Sequence, residues 1–214
     1  NFIKNPKSTV EMQNGQTIHF YPTNKIRIPV DKNNIIKNKV VAAKYNDSIV
    51  SYIDIDIKGN ALYKNRLMML DLIANNNWKR PVYFSPGAFE DEDYLWMKNY
   101  LQLEGMIYKL VPIKTKVDKD TNPMDMGGLD ADKMYSIVMK WDWGNSRGDI
   151  YHDPETRKNS ISYRSVLSRL MDKLIVEGKL DKAKKVIELS LTEMPVEKFG
   201  YYSMVEPFAR GYYE

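Results

Sequence analysis

Leu70-Asp71-Leu72-Ile73-Ala74-Asn75-Asn76-Asn77-Trp78-Lys79-Arg80-Pro81-Val82-Tyr83-Phe84 holds a helix end, a stop and a strand start in one short run. Apolar residues from Leu62 to Ala74 recur at helical spacing, dense enough in Leu and Met to predict burial on most sides. Asn75-Asn76-Asn77 predicts the stop, because Asn tolerates the left-handed conformation that closes a helix. Pro81 then opens Val82-Tyr83-Phe84, an apolar run without alternation, which predicts a strand inside a sheet. Helix, turn and strand in succession make an α/β unit. Downstream, Asp91 and Asp93 suit the cap of a second helix reaching about Leu101, and Met106–Ile113 reads as a second apolar strand.

Toward the N-terminus the period becomes two. Ile49, Ser51, Ile53, Ile55 and Ile57 alternate with Val50, Tyr52, Asp54 and Asp56, the clearest strand in the chain. Ile26, Ile28 and Val30 alternate as well, and Pro29 places that strand at an edge. Asn14-Gly15 marks a hairpin. A three-residue loop is expected to pair Met12 with Ile18 and Val10 with Phe20, keeping the apolar residues on one face.

Toward the C-terminus, Lys114 to Asp130 is polar and contains Pro123 and Gly127-Gly128, the composition of an exposed loop. Asp130 caps a short predicted helix to about Lys140, which Trp141-Asp142-Trp143-Gly144-Asn145 breaks. Asp153-Pro154-Glu155 is a helix start. Tyr163, Leu167, Leu170, Met171 and Leu174 form one stripe. After Gly178, the residues Ala183, Val186, Ile187, Ser190, Leu191 and Met194 form a second, stopped by Pro195. Tyr201, Met204, Val205, Phe208, Ala209 and Tyr212 form a third, with a kink expected at Pro207. Counted back from Pro195, Leu167, Leu174, Gly178, Ala183 and Ser190 occupy the large and small positions of a 34-residue tetratricopeptide pattern. Met171 stands where that pattern prefers a small side chain. The expected fold is therefore α+β: a small mixed β-sheet with packed helices over 1–152, then a C-terminal tetratricopeptide-like helical hairpin plus one further helix over 153–214.

Composition narrows the function. The chain has 214 residues, 43% of them apolar and 28% charged, and a net charge of +4. That is globular, and no run approaches the ~18 apolar residues of a membrane span. Cysteine is absent, which removes disulfides and thiolate chemistry. Basic residues are mostly Lys, spread among acids, which argues against nucleic acid. The first residue is Asn, and the last residues read as the inside of a helix, so the chain is expected to be a piece of a longer protein.

Few residues suggest catalysis. His19 and His152 stand without a nucleophile motif beside them, and Gly-x-Ser-x-Gly, phosphate-loop and His-Glu-x-x-His patterns do not occur. Asp54 and Asp56 have the spacing of paired carboxylates on one strand face, but a solvated sheet face also explains them. Glu90 to Asp93 reads as a helix N-terminus. Asp118, Asp120 and Asn122 open like a calcium loop, but Pro123 and Leu129 stand where Gly and Glu belong. No catalytic residue, metal ligand or cofactor is expected. Trp141, Trp143 and Trp78 are the candidates for a ligand or partner surface.

Gly59-Asn60-Ala61-Leu62-Tyr63-Lys64-Asn65, the Leu70–Phe84 run, Tyr100-Leu101-Gln102-Leu103-Glu104-Gly105, Tyr108-Lys109-Leu110-Val111-Pro112 and Trp143-Gly144-Asn145 resemble the C-terminal soluble region of a family of bacterial multi-span membrane proteins. That family, described as a domain of unknown function, is similar to protein O-mannosyltransferases. The resemblance implies a periplasmic or otherwise extracytoplasmic position, tethered by membrane spans outside this chain. It implies as partners the membrane-spanning part of the same protein and an acceptor protein. The transferase motifs of that family lie in its spans, so no catalytic position carries over. A stand-alone repeat-type interaction module is the alternative expectation, and a carbohydrate-binding or hydrolytic domain built on Asp54 and Asp56 is a second.

Overall fold

The structure, a computed structural model, describes residues 8–20, 23–57, 62–85, 92–115 and 126–213. Its fold class is α+β, with small sheets in the N-terminal two thirds and a helical C-terminal region. The element order begins β1 (Thr9–Glu11), β2 (Thr17–His19), β3 (Lys25–Pro29), α1 (Lys32–Lys37), β4 (Tyr52–Asp56), α2 (Lys64–Asn76) and β5 (Tyr83–Phe84). It continues with β6 (Leu101–Glu104), β7 (Ile107–Leu110), β8 (Gly128–Leu129), α3 (Ala131–Val138), α4 (Pro154–Val176), α5 (Leu180–Glu193), α6 (Val196–Phe199) and α7 (Glu206–Tyr213).

Strands β1 and β2 form the expected hairpin in a different register. Val10 pairs with Ile18 and Glu11 with Thr17, rather than Val10 with Phe20. The loop has three residues, but Gly15 at φ +77° closes it one pair tighter than expected, with the Met12 N–H bonded to Gln16 O at 2.8 Å. The shift is two residues, so Val10, Met12, Ile18 and Phe20 still share a face, and all four are exposed. Strands β3 and β4 pair antiparallel, with Ile26 opposite Ile55 and Ile28 opposite Ile53. Ile28, Ile53 and Ile55 are buried, while Asp54 and Asp56 face out.

Helix α2 ends as its Asn run predicts, with Asn77 left-handed at φ 44°. Its burial was overestimated by composition: Leu70 and Ile73 are buried, but Met68 and Leu72 on another face are exposed. The Val82–Phe84 strand corrects a second expectation. It is the two-residue edge strand β5 of a four-stranded sheet ordered β5-β7-β6-β8, not an interior strand. The predicted helix to Leu101 is a 3-10 helix over Glu92–Tyr100; Asp91 lies outside the described residues, as do Asp118, Asp120 and Asn122. Leu101–Glu104 leaves it as a strand, turning through Gly105, at φ +67°, into β7. β5, β7 and β6 run antiparallel and β8 runs parallel to β6, so the sheet is mixed.

Leu101, Leu103, Tyr108 and Leu110 fill one side of that sheet. Each such side chain contributes roughly 1.5–3 kcal/mol by leaving water. They join Met134 and Val138 of α3 and Leu167, Leu170, Met171 and Leu174 of α4 in one apolar core. Asp130 caps α3 as expected, accepting from the Asp132 and Lys133 N–H groups at 3.1 and 3.2 Å. Asp153 caps α4, with Pro154 in the first turn. Ala183, Val186, Ile187 and Ser190 bury the inner face of α5 against α4. Pro207 does not kink the last helix; it sits in the first turn of α7, where a missing N–H costs nothing. α7 closes the hairpin, and its Gly211 faces Met171, whose Sδ would lie 2.6 Å from an added Cβ.

Candidate functional site

The segment after α3 cannot continue as helix and instead loops back over α4. Asp142 Oδ1 accepts the Gly144 N–H at 2.8 Å, which turns the chain. Ser146 Oγ then donates to Glu193 at the end of α5, at 3.3 Å. Lys198 of α6 donates to the carbonyls of Arg147 and Gly148. These ties hold the loop away from the α4 surface and leave a cleft of about 480 Å³. That volume lies within the range of small-ligand pockets.

Trp141 and Trp143 wall the cleft together with Tyr163 of α4. The two indoles lie 5.7 Å apart at 69°, and Tyr163 stands 5.5 Å from Trp141 and 5.6 Å from Trp143. Opposed aromatic edges and faces of this kind hold one another rigid. Further round the wall, His152 packs on Phe199 with ring centroids 4.3 Å apart. His152 Nε2 lies 2.8 Å from Ser146 O, so that ring is a buried and partnered group. Met194 completes the apolar side, and Thr156, Asn159 and Ser160 supply hydroxyl and amide groups from α4. Trp143 Nε1 is buried and has no partner among the described residues.

Beside the cleft, Arg164 is fully buried and pairs with no carboxylate among the described residues. Its guanidinium donates to Met194 O and Gly200 O, both at 2.7 Å, at the C-terminal ends of α5 and α6. A cation there meets the negative ends of two helices and holds the wall carrying Met194 and Phe199.

Trp78, the third sequence candidate, lies elsewhere. It is 7% exposed in the core, at φ +58°, and its carbonyl accepts from Asn38 Nδ2 at 3.0 Å. Asn34 likewise donates to Asn77 O at 3.1 Å, so α1 clamps the two left-handed residues. Asp54 is bidentate to Arg27, at 2.6 and 3.2 Å, and Arg27 also lies 5.0 Å over the Tyr52 ring. The hydrogen bond from Arg27 holds the Asp54 carboxyl below the usual carboxylate range, so it is an ion-pair member on an exposed face. His19 is exposed in β2. Among the described residues no three His, Asp or Glu side chains are grouped to hold a metal ion. The cleft thus has packed aromatic walls with polar groups of α4 beside them.

Residues 1–133 match the family model described as TMEM260-associated domain 2, which covers the sheets and the start of α3 but, of the cleft, only Met106. No curated protein and no solved structure matches the chain.

Proposed function

This chain belongs to the TMEM260-associated domain 2 family, a domain linked to a membrane protein family, and on that premise we propose that it is the non-catalytic, extracytoplasmic acceptor-binding region of an O-mannosyltransferase-like membrane protein. The reading draws on the resemblance carried by the Leu70–Phe84 and Tyr100–Pro112 runs. The observation that carries the binding role is the Trp141–Trp143–Tyr163 wall of a 480 Å³ cleft with Thr156 and Asn159 at its rim. Aromatic walls anchor side chains of an extended polypeptide, and rim amides and hydroxyls satisfy its backbone. No described helix is long and apolar enough to cross a membrane, so the spans belong to another part of the same protein in this reading. Holding an acceptor beside a membrane-borne active site raises its effective concentration there.

Calorimetry of the 214-residue chain with Ser/Thr-rich peptides tests the proposal. Binding is expected, and Trp143→Ala should weaken it about tenfold or more, some 1.4 kcal/mol. Binding that ignores Trp143→Ala and Tyr163→Ala, or no binding to any such peptide, rejects the cleft as the acceptor site. With polyprenyl-phosphate sugar and acceptor peptide, the chain alone should show no transfer.

A further inference from the structure

The four-stranded sheet has a second face that behaves unusually. Leu101, Leu103, Tyr108 and Leu110 point into the core, so Gln102, Glu104 and Lys109 point the other way. A polar sheet face is ordinarily left to water. This one is not: Gln102, Glu104 and Lys109 are 8, 7 and 8% exposed. The stretch from Ile36 to Asn46, with the start of α3, borders it and leaves an open cavity of about 420 Å³.

The polar groups in that cavity are only partly used by each other. Glu104 accepts from Tyr83 Oη at 3.0 Å and Gln102 Nε2 at 3.3 Å, and pairs with Lys109 Nζ at 3.5 Å. Burial, and then the neighbouring Glu104, push the Tyr83 phenol up to about 12, so it stays a donor at neutral pH. An ammonium has three N–H donors and an amide has an acceptor oxygen, so Lys109 and Gln102 retain capacity beyond those contacts. Asp130, 4% exposed, lines the cavity opposite and is paired with Lys44 at 3.1 Å. Lys39 and Lys133 stand at its exposed lip, and Ile36, Val40, Val41 and Ala42 supply an aliphatic wall.

We propose that this cavity binds a neutral monosaccharide unit. Inside the lysine-bearing lip the charges occur as opposite pairs, buried Glu104 with buried Lys109 and buried Asp130 with the exposed Lys44, so neither an anion nor a cation reaches the floor without meeting its own sign. A ring of hydroxyls both donates and accepts, which matches a wall where carboxylate, ammonium and amide alternate. Its C–H face matches the aliphatic wall. The volume admits one pyranose with room for a linked residue. Every lining residue falls within 1–133, the stretch the family model matches, and none is shared with the aromatic cleft. The site is therefore independent of the acceptor-binding reading.

Amide and indole NMR shifts of the full 214-residue chain test it, with methyl α-mannopyranoside, methyl β-glucopyranoside and inorganic phosphate titrated separately. At least one glycoside should shift the Gln102, Lys109 and Lys133 amides saturably, and phosphate should not. Lys109→Met strands Glu104 and can unfold the sheet, so the deciding variant is Ala42→Trp, on the exposed lip. It should keep the thermal midpoint and weaken glycoside binding about tenfold or more. The proposal falls if neither glycoside gives saturable shifts, if phosphate alone binds, if the shifts appear at the Trp141 and Trp143 indoles instead, or if Ala42→Trp leaves the affinity unchanged. Apart from shifts at the two indoles, none of these outcomes bears on peptide binding in the cleft.

Discussion

Arg164 shows how one side chain can carry an element boundary. Two carbonyls, Met194 O and Gly200 O, accept from its guanidinium. Arg164→Met should cost about 1–3 kcal/mol in urea unfolding, the loss of two buried acceptors' partners being partly offset by relief of the guanidinium's desolvation. An unchanged midpoint would mean that the carbonyls find other partners. Asp132 works at the surface instead. Hydrogen bonds from Lys179 and Lys182 pull its carboxyl far below the usual carboxylate range, and Lys44 lies 3.5 Å away. A depressed carboxylate contributes stability above its unfolded pKa, near 3.8, and loses it as pH falls through the folded value. Asp132→Asn should thus lower stability at pH 7 and flatten the loss of stability below about pH 4; parallel pH profiles for the two proteins would refute the linkage. Salt at 1 M should shrink the difference, since the group is half exposed. The caps Asn77, Asp130 and Asp153 are legible in the sequence because their chemistry is local. Arg164 is not, because an Arg inside an amphipathic helix reads as solvent-facing until the packing of α5 and α6 is known.

At the scale of elements, the sequence signal fails where a strand is too short to show a period. β8 has two residues and β5 has two, which no alternation can mark. Leu101-Gln102-Leu103-Glu104 does alternate, yet it follows an acidic, apolar run that reads as a helix, and only the pairing with β7 separates them. Edge and interior are also topological facts: Val82-Tyr83-Phe84 is apolar enough for a central strand but, among the described residues, has a neighbour on one side only. Amide exchange should follow the topology, slowest at Leu103, Tyr108 and Leu110 and faster at Phe84; equal protection would place another strand against β5. In the helical hairpin, Ala183 is buried against α4, so Ala183→Leu should overpack it by about 1–3 kcal/mol. Met171 and Gly211 form a large–small pair across α4 and α7. Gly211→Ala gains roughly 1 kcal/mol of helix propensity but presses on the thioether, so the gain should emerge in full only in a Met171→Ala background. Additive effects in that cycle would show the two helices to be looser than their contact implies.

Over the whole molecule, one apolar core runs from the β3–β4 pair through the mixed sheet into the hairpin. Arg169 of α4 donates to Met126 O at 3.1 Å, and Asp132 holds two lysines at the start of α5. Unfolding in urea should therefore be a single transition, with far-UV circular dichroism and amide signals from both parts coinciding; two separated midpoints would divide the chain at the loop before α4. Trp141 and Trp143 stand out in the sequence as candidates, but the partners the structure gives them do not. Tyr163 reads as one more residue of a core stripe, and His152, Met194 and Phe199 converge only because α5 and α6 fold back. The arrangement also has an optical consequence. Two indoles 5.7 Å apart and inclined at 69° are close enough for their excited states to couple. Such a pair splits the indole band into lobes of opposite sign, whose size depends on the angle and spacing of the rings. Any guest that wedges them apart rewrites that splitting, so the chain carries its own gauge of whether the cleft is filled, with no dye and no label attached.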